Sequence, residues 1–143
     1  MCRAHAAVRG MLAALVEGAS SAVVMDMEAG LEQLSRGTPR DVDVLVVILE
    51  PYYRSLETGA RVLELARELG IERRHAIANK VRDTRDEDAI RAFCEGRDIP
   101  VLATLPYDEA VIDADREGLS VLDVHPEAPI VMRIREVADM LSR

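Results

Sequence analysis

The chain has 143 residues, 49% of them hydrophobic and 31% charged, with a formal net charge of −8. That is a globular balance on a length that suits one domain, residues 1–143, able to bury roughly 70% of the surface its unfolded chain exposes. The acidic total and an aromatic content of 3%, with no Trp, speak against a nucleic-acid partner, because both backbone attraction and base-stacking platforms are missing.

The predicted elements begin with a helix. From Ala4 onward Val8, Met11, Leu12, Leu15 and Val16 recur at helical spacing, and Gly18 ends the pattern. Ser21–Met25 is a short apolar run, read as a buried strand with Asp26 at its C-terminal end. A polar loop follows, carrying Gly30, Gly37 and Pro39. Val42–Leu49 is the clearest strand, continuous and β-branched as a parallel strand covered on both faces should be; Glu50-Pro51 ends it. A helix is expected from about Ser55 to Leu69, with Leu56, Ala60, Leu63, Ala66 and Leu69 inward and Gly70 just past its end. His75–Ala78 reads as the next strand, ending at Asn79-Lys80. Asp86 is a candidate cap for a short helix through Ile90 and Phe93, closed by Gly96. Pro100–Leu105 is a fourth strand, ending at Pro106, and Asp108 caps a helix running to Gly118. The last helix has Pro129 in its first turn and Ile130, Ile134, Val137 and Leu141 on one stripe.

The order α-β-β-α-β-α-β-α-α predicts an α/β fold, an open, mostly parallel sheet with helices on both faces. In such sheets ligands bind at the C-terminal ends of the strands. Those ends read Asp26 to Gly30, Glu50-Pro51, Asn79-Lys80 and Pro106-Tyr107-Asp108. Each has a plain explanation taken alone: a carboxylate after a strand forms turns, Gly30 permits a positive φ, and Asn79 caps a turn. Together they describe a ligand site. Asp26 is placed as an oxygen ligand to a hard Mg²⁺, directly or through water. Gly30 would bring a bare backbone N–H to a phosphate, the Asn79 amide matches the edge of a purine, and Pro106 would form an apolar wall beside it.

Lys80 is the only lysine among 18 basic residues. A Walker A loop needs Gly-Lys-Ser/Thr so that the amine reaches the phosphates, and Lys80 stands between Asn79 and Val81 instead. These 143 residues contain no such loop. The two cysteines, Cys2 and Cys94, make no disulfide framework, so a reduced, cytoplasmic chain is expected. No apolar run approaches the ~20 residues of a membrane span, and no signal-peptide pattern opens the sequence, so no membrane partner is expected.

The run Asp26-Met-Glu-Ala-Gly-Leu-Glu-Gln-Leu-Ser-Arg-Gly-Thr38 resembles the switch II segment of the CooC-type ATPases that insert nickel during carbon monoxide dehydrogenase maturation. Glu50 to Thr58, Asn79-Lys-Val-Arg82 and Leu105 to Val111 match the same pattern. The resemblance covers about Cys2 to Asp123 and extends to the MinD, ParA and nitrogenase iron-protein class of P-loop ATPases. It implies ATP or ADP with magnesium as cofactors, Asp26 as the ligand of a magnesium-bound water and Gly30 as the γ-phosphate sensor. It also implies Asn79 and its neighbour Lys80 at the adenine, Pro106 and Tyr107 in the loop beside the base, and Glu50 and Pro51 near the nucleotide and a dimer face. Cys2 looks like the second cysteine of the family's Cys-x-Cys pair, which binds nickel or zinc across a homodimer. A frayed N-terminal cysteine is the other reading of Cys2.

Relatives begin with a phosphate loop on a strand beside the Asp26 strand, and this sequence lacks that part. The expectation is therefore a partial P-loop NTPase fold, missing its first strand and phosphate loop and incomplete for hydrolysis alone. A truncated gene product, a misassigned start and a subunit whose partner supplies the loop remain the three accounts. The competing function is a non-catalytic regulatory or interaction module that keeps the sheet. A phosphoacceptor receiver domain fits poorly, because its lysine should follow the last strand rather than the third.

Overall fold

The computed structural model describes residues 23–27 and 42–142. Three parallel strands, β1 (Val44–Leu49), β2 (Arg73–Val81) and β3 (Val101–Pro106), lie in the order β1-β2-β3. Helix α1 (Tyr53–Glu68) connects β1 to β2, and α2 (Thr84–Glu95) connects β2 to β3. After β3 come α3 (Glu109–Arg116), the single turn α4 (Val121–Val124) and α5 (Pro129–Leu141). The two β-α-β units give the parallel sheet that the alternation of elements predicts.

The core forms on both faces. On one, Leu49, Ala76 and Ala78 pack with Leu56 of α1 and with Ile90 and Cys94 of α2. On the other, Ile77, Ala103 and Leu105 meet Val137 of α5. Alternation along β2 sends Ala76 and Ala78 one way and Ile77 the other. Gly59 lets α1 lie close to β1, since a Cβ there would meet Leu49 Cδ2 at 2.1 Å. Gly70 ends α1 as expected, with φ +82° and the Ile71 N–H donating to the Ala66 carbonyl at 3.0 Å.

Several expectations need correction. The strand expected at Ser21–Met25 is not formed in its described part. Residues 23–27 carry no regular structure, Val24 is 92% exposed and Asp26 is exposed. A strand is stabilised by its ladder, and the outer edge of β1 pairs with no other strand among the described residues. β2 begins two residues before His75 and continues to Val81, because pairing with β1 from Val44↔Arg73 recruits polar residues that an apolar run does not count. Asp83, not Asp86, caps α2, its Oδ1 accepting from the Arg85 and Asp86 N–H groups, while Asp86 accepts from the Arg82 N–H at 3.1 Å. On α5 the buried residues are Val131 and Val137, and Ile134 is exposed. The helix expected at residues 4–16 lies outside the described residues.

Candidate functional site at the strand ends

The carboxyl ends of the three strands collect most of the residues that the sequence singled out. Glu50 follows β1, and its backbone N–H donates to Ser55 Oγ at 2.9 Å while its carbonyl accepts from the Tyr52 N–H at 2.7 Å. These two bonds, with Pro51 between the partners, fix the turn into α1. One strand over, Lys80 Nζ meets Glu50 Oε1 at 2.6 Å. The hydrogen bond that Lys80 donates to Glu50 raises the Lys80 pKa above the ordinary lysine value, against the opposing effect of desolvation.

The end of β2 is irregular. Ala78 pairs with Thr104 and Val81 with Pro106, so β2 uses three steps where β3 uses two. The extra residue falls at Asn79-Lys80, and Lys80 has φ +56°. Beyond the bulge the Tyr107 N–H donates to the Val81 carbonyl at 2.8 Å, which brings Pro106 and Tyr107 beside the end of β2. The Arg82 guanidinium lies over the Tyr107 ring, 4.7 Å from its centroid. Asp108 then joins two helices, its Oδ1 accepting from the Ala110 N–H at 3.0 Å and its Oδ2 from the Ile130 N–H at 3.3 Å. One carboxylate thus caps α3 and serves the first turn of α5.

Glu50, Pro51, Asn79, Lys80, Pro106 and Tyr107 therefore share one rim. Asp26 is exposed and ends no strand among the described residues. Gly30 and Cys2 lie outside the described residues. Among the described residues no cluster of three or more His, Cys, Asp or Glu side chains could hold a metal ion. The rim fits the base of a nucleotide, offering an amide at Asn79 and apolar and aromatic surface at Pro106 and Tyr107. Its one amine, Lys80 Nζ, is engaged by Glu50 rather than held free for a phosphate.

Sequence reading missed the Arg82–Tyr107 stack and the second role of Asp108. A charged residue just past one strand end, with an aromatic just past the neighbouring strand, is the signal that could have found the stack. An open groove of about 430 Å³ lies elsewhere, lined by Glu57, Arg61, Glu64, Arg67, Arg97 and Pro100. It sits at the opposite ends of the strands, and Arg67 and Arg97 already pair with Glu64 and Glu57. The rim, which gathers the residues singled out in the sequence, is the candidate site.

With this geometry in hand, the chain can be compared with known proteins. No family model matches the sequence. The structure is similar to the cell-division ATPase MinD of Pyrococcus furiosus, with a TM-score of 0.72 and 18% identity over 94% of this chain and 56% of that one. It is also similar to a ParA family ATPase from Chlorobium tepidum, with a TM-score of 0.55 and 27% identity over 73% and 42% of the two chains. The fold is that of the MinD/ParA class of P-loop NTPases, over part of those chains.

In sequence the chain is 40% identical over 126 residues to the carbon monoxide dehydrogenase accessory protein CooC of Rhodospirillum rubrum, covering 88% of this chain and 47% of that protein. An uncharacterised ATP-binding protein of Methanocaldococcus jannaschii is 36% identical over 118 residues, 82% of this chain and 46% of its own length. In sequence and fold the chain is similar to the CooC-type ATPases of the MinD/ParA class. It spans about half the length of the curated relatives it matches. Among the described residues no helix is long and apolar enough to cross a membrane.

Proposed function

We propose that this chain supplies the base-recognising part of an ATP-dependent maturation factor for carbon monoxide dehydrogenase. One observation carries the reading: the β2 bulge and the Tyr107–Val81 hydrogen bond gather Asn79, Pro106 and Tyr107 at one end of a MinD/ParA-type sheet. The Asn79 amide both donates and accepts, which suits a purine edge, and Pro106 and Tyr107 provide surface for its face. The similarity to CooC, whose name ties it to carbon monoxide dehydrogenase, supplies the client.

The phosphate grip and the magnesium ligands then come from outside the rim. β1 supports this, being a continuous β-branched strand that stands at the sheet edge among the described residues, with Ile48 half exposed. Such a strand is suited to a further neighbour, either from a longer form of the chain or from a partner subunit. Asp26 and Gly30 would join the site in that assembly. In this reading nickel is the cargo, exchanged at a homodimer interface to which Cys2 contributes.

Calorimetric titration with adenosine and with Mg-ATP tests the reading. Binding of both, with similar affinity and no hydrolysis, is the expected result, because the base side does the binding. A folded chain that takes up neither at millimolar concentration would overturn the proposal and favour a non-catalytic interaction module.

A further inference from the structure

Resting on the nucleotide reading above, we infer that Lys80, held by Glu50, is a positioning residue that aims the Asn79 amide and so sets the preference of the rim for one purine over another. A lysine in the left-handed region is strained relative to ordinary strand backbone. No glycine relieves it here, and the strand chemistry around it does not ask for it.

The bulge explains what that conformation achieves. Ala78 and Val81, three residues apart, both pack on the face covered by α1 and α2. In an unbroken strand, residues three apart would point to opposite faces. The two residues between them, Asn79 and Lys80, therefore absorb the whole change of direction. A bulge of this kind re-aims a side chain at the end of a ladder. Because one residue is extra and both Ala78 and Val81 are held, the direction of Asn79 is coupled to the backbone of Lys80.

Something must hold that backbone, and Glu50 is placed to do so. Its carboxylate lies 2.6 Å from Lys80 Nζ, and its own backbone is fixed through Ser55 and Tyr52. The register Leu49↔Ala78 brings Glu50 to the end of β1 directly beside Asn79-Lys80. On the other side the Tyr107–Val81 bond fixes the strand just after the bulge. The bulge is thus clamped from both neighbouring strands. This assigns Lys80 and Glu50 to each other rather than to the nucleotide.

The test is an NMR titration of the ¹⁵N-labelled chain with adenosine and with guanosine, alongside Glu50→Gln, Lys80→Met and Lys80→Arg. Without ligand, Glu50→Gln and Lys80→Met should each move the Asn79 side-chain amide signal, while Lys80→Arg leaves it in place. With ligand, wild type and Lys80→Arg should prefer adenosine, and the other two should lose that preference at an unchanged melting temperature. A preference retained in Glu50→Gln and Lys80→Met, with the Asn79 signal unmoved, overturns the positioning role alone. A wild-type chain that binds neither nucleoside overturns the nucleotide reading and the positioning role with it. Variants whose melting temperature falls can be judged on the double exchange Glu50→Lys with Lys80→Glu. Recovery of the Asn79 signal there supports the pairing, and failure to recover it counts against it.

Discussion

Asp98 and Lys80 have nearly the same backbone, with φ +55° and +56°, in very different settings. Asp98 lies in the turn after α2, where the Asp98 N–H donates to Glu95 and the Ile99 N–H to the Cys94 carbonyl. That pattern closes a helix and calls for one left-handed residue, a conformation Asp tolerates better than most side chains. Gly96 caps the helix where the sequence places its stop, in the helical region at φ −64°, and the left-handed residue follows two positions later at Asp98. Lys80 has no such local reason. Its conformation belongs to a bulge at the rim and is matched by a partner 30 positions away in sequence. Equal dihedrals therefore mark a helix stop in one place and a bulge at the end of a sheet strand in the other.

The largest expected effect tests whether both sites depend on the same core. Ile90 is fully buried on α2, in one cluster with Ala76, Ala78 and Cys94, between the turn and the rim. Ile90→Ala should cost about 2–5 kcal/mol in urea unfolding, the range for emptying a packed site. A smaller loss with only the rim signals disturbed would mean that the two regions are supported separately.

Next comes the rim's outer support. Asp108→Ala removes an acceptor from the N–H groups of both Ala110 and Ile130 and should cost about 1–2 kcal/mol in thermal unfolding. Asp108→Asn, which keeps a cap, should recover most of it. Equal losses from the two variants would show that capping is not what Asp108 contributes.

The contrast itself is tested by glycine. Asp98→Gly relieves the left-handed strain while leaving the turn's backbone bonds intact, and should stabilise by about 1 kcal/mol. Lys80→Gly gains the same relief but gives up an exposed ion pair of roughly 0–1 kcal/mol, so its net gain should be smaller. Equal gains would erase the distinction between the two sites.

Much of this molecule could be read from its residues, and the failures share one cause. β1, the helix stop at Gly70 and the cap at Asp108 follow from local pattern, and the structure places them as expected. The Ser21–Met25 run is as apolar as a buried strand, yet residues 23–27 form none, because pairing partners are not a local property. The same holds for β2, whose polar ends are ordered by register with β1. At the site, Glu50, Asn79 and Pro106 were identified by their positions at strand ends. The Glu50–Lys80 pair and the bulge were not, since both depend on which strands are neighbours and in what register. A single lysine placed one strand across from a carboxylate is a usable signal only once that order is known.

The smallest effect separates the two ends of α2. Near the rim, Glu87 Oε1 accepts from Arg91 at 2.8 and 2.9 Å and from Thr104 Oγ1 at 3.0 Å, tying α2 to β3. The Arg91 hydrogen bond foremost, and the Thr104 hydroxyl after it, hold the Glu87 pKa below the ordinary value. A carboxyl lowered on folding adds stability that is fully present above its unfolded value of about 4.3 and is lost as pH falls through the lower folded value. Wild type should therefore exceed Glu87→Gln in stability at neutral pH, and the two should converge as pH falls through the lowered Glu87 value. In the same acid titration the amides of Thr84 to Arg91 should shift before those of Cys94 to Ile99, because the tie to β3 is made at the rim end of the helix. Simultaneous shifts at both ends would mean that α2 responds as a rigid unit and that the rim has no mobility of its own.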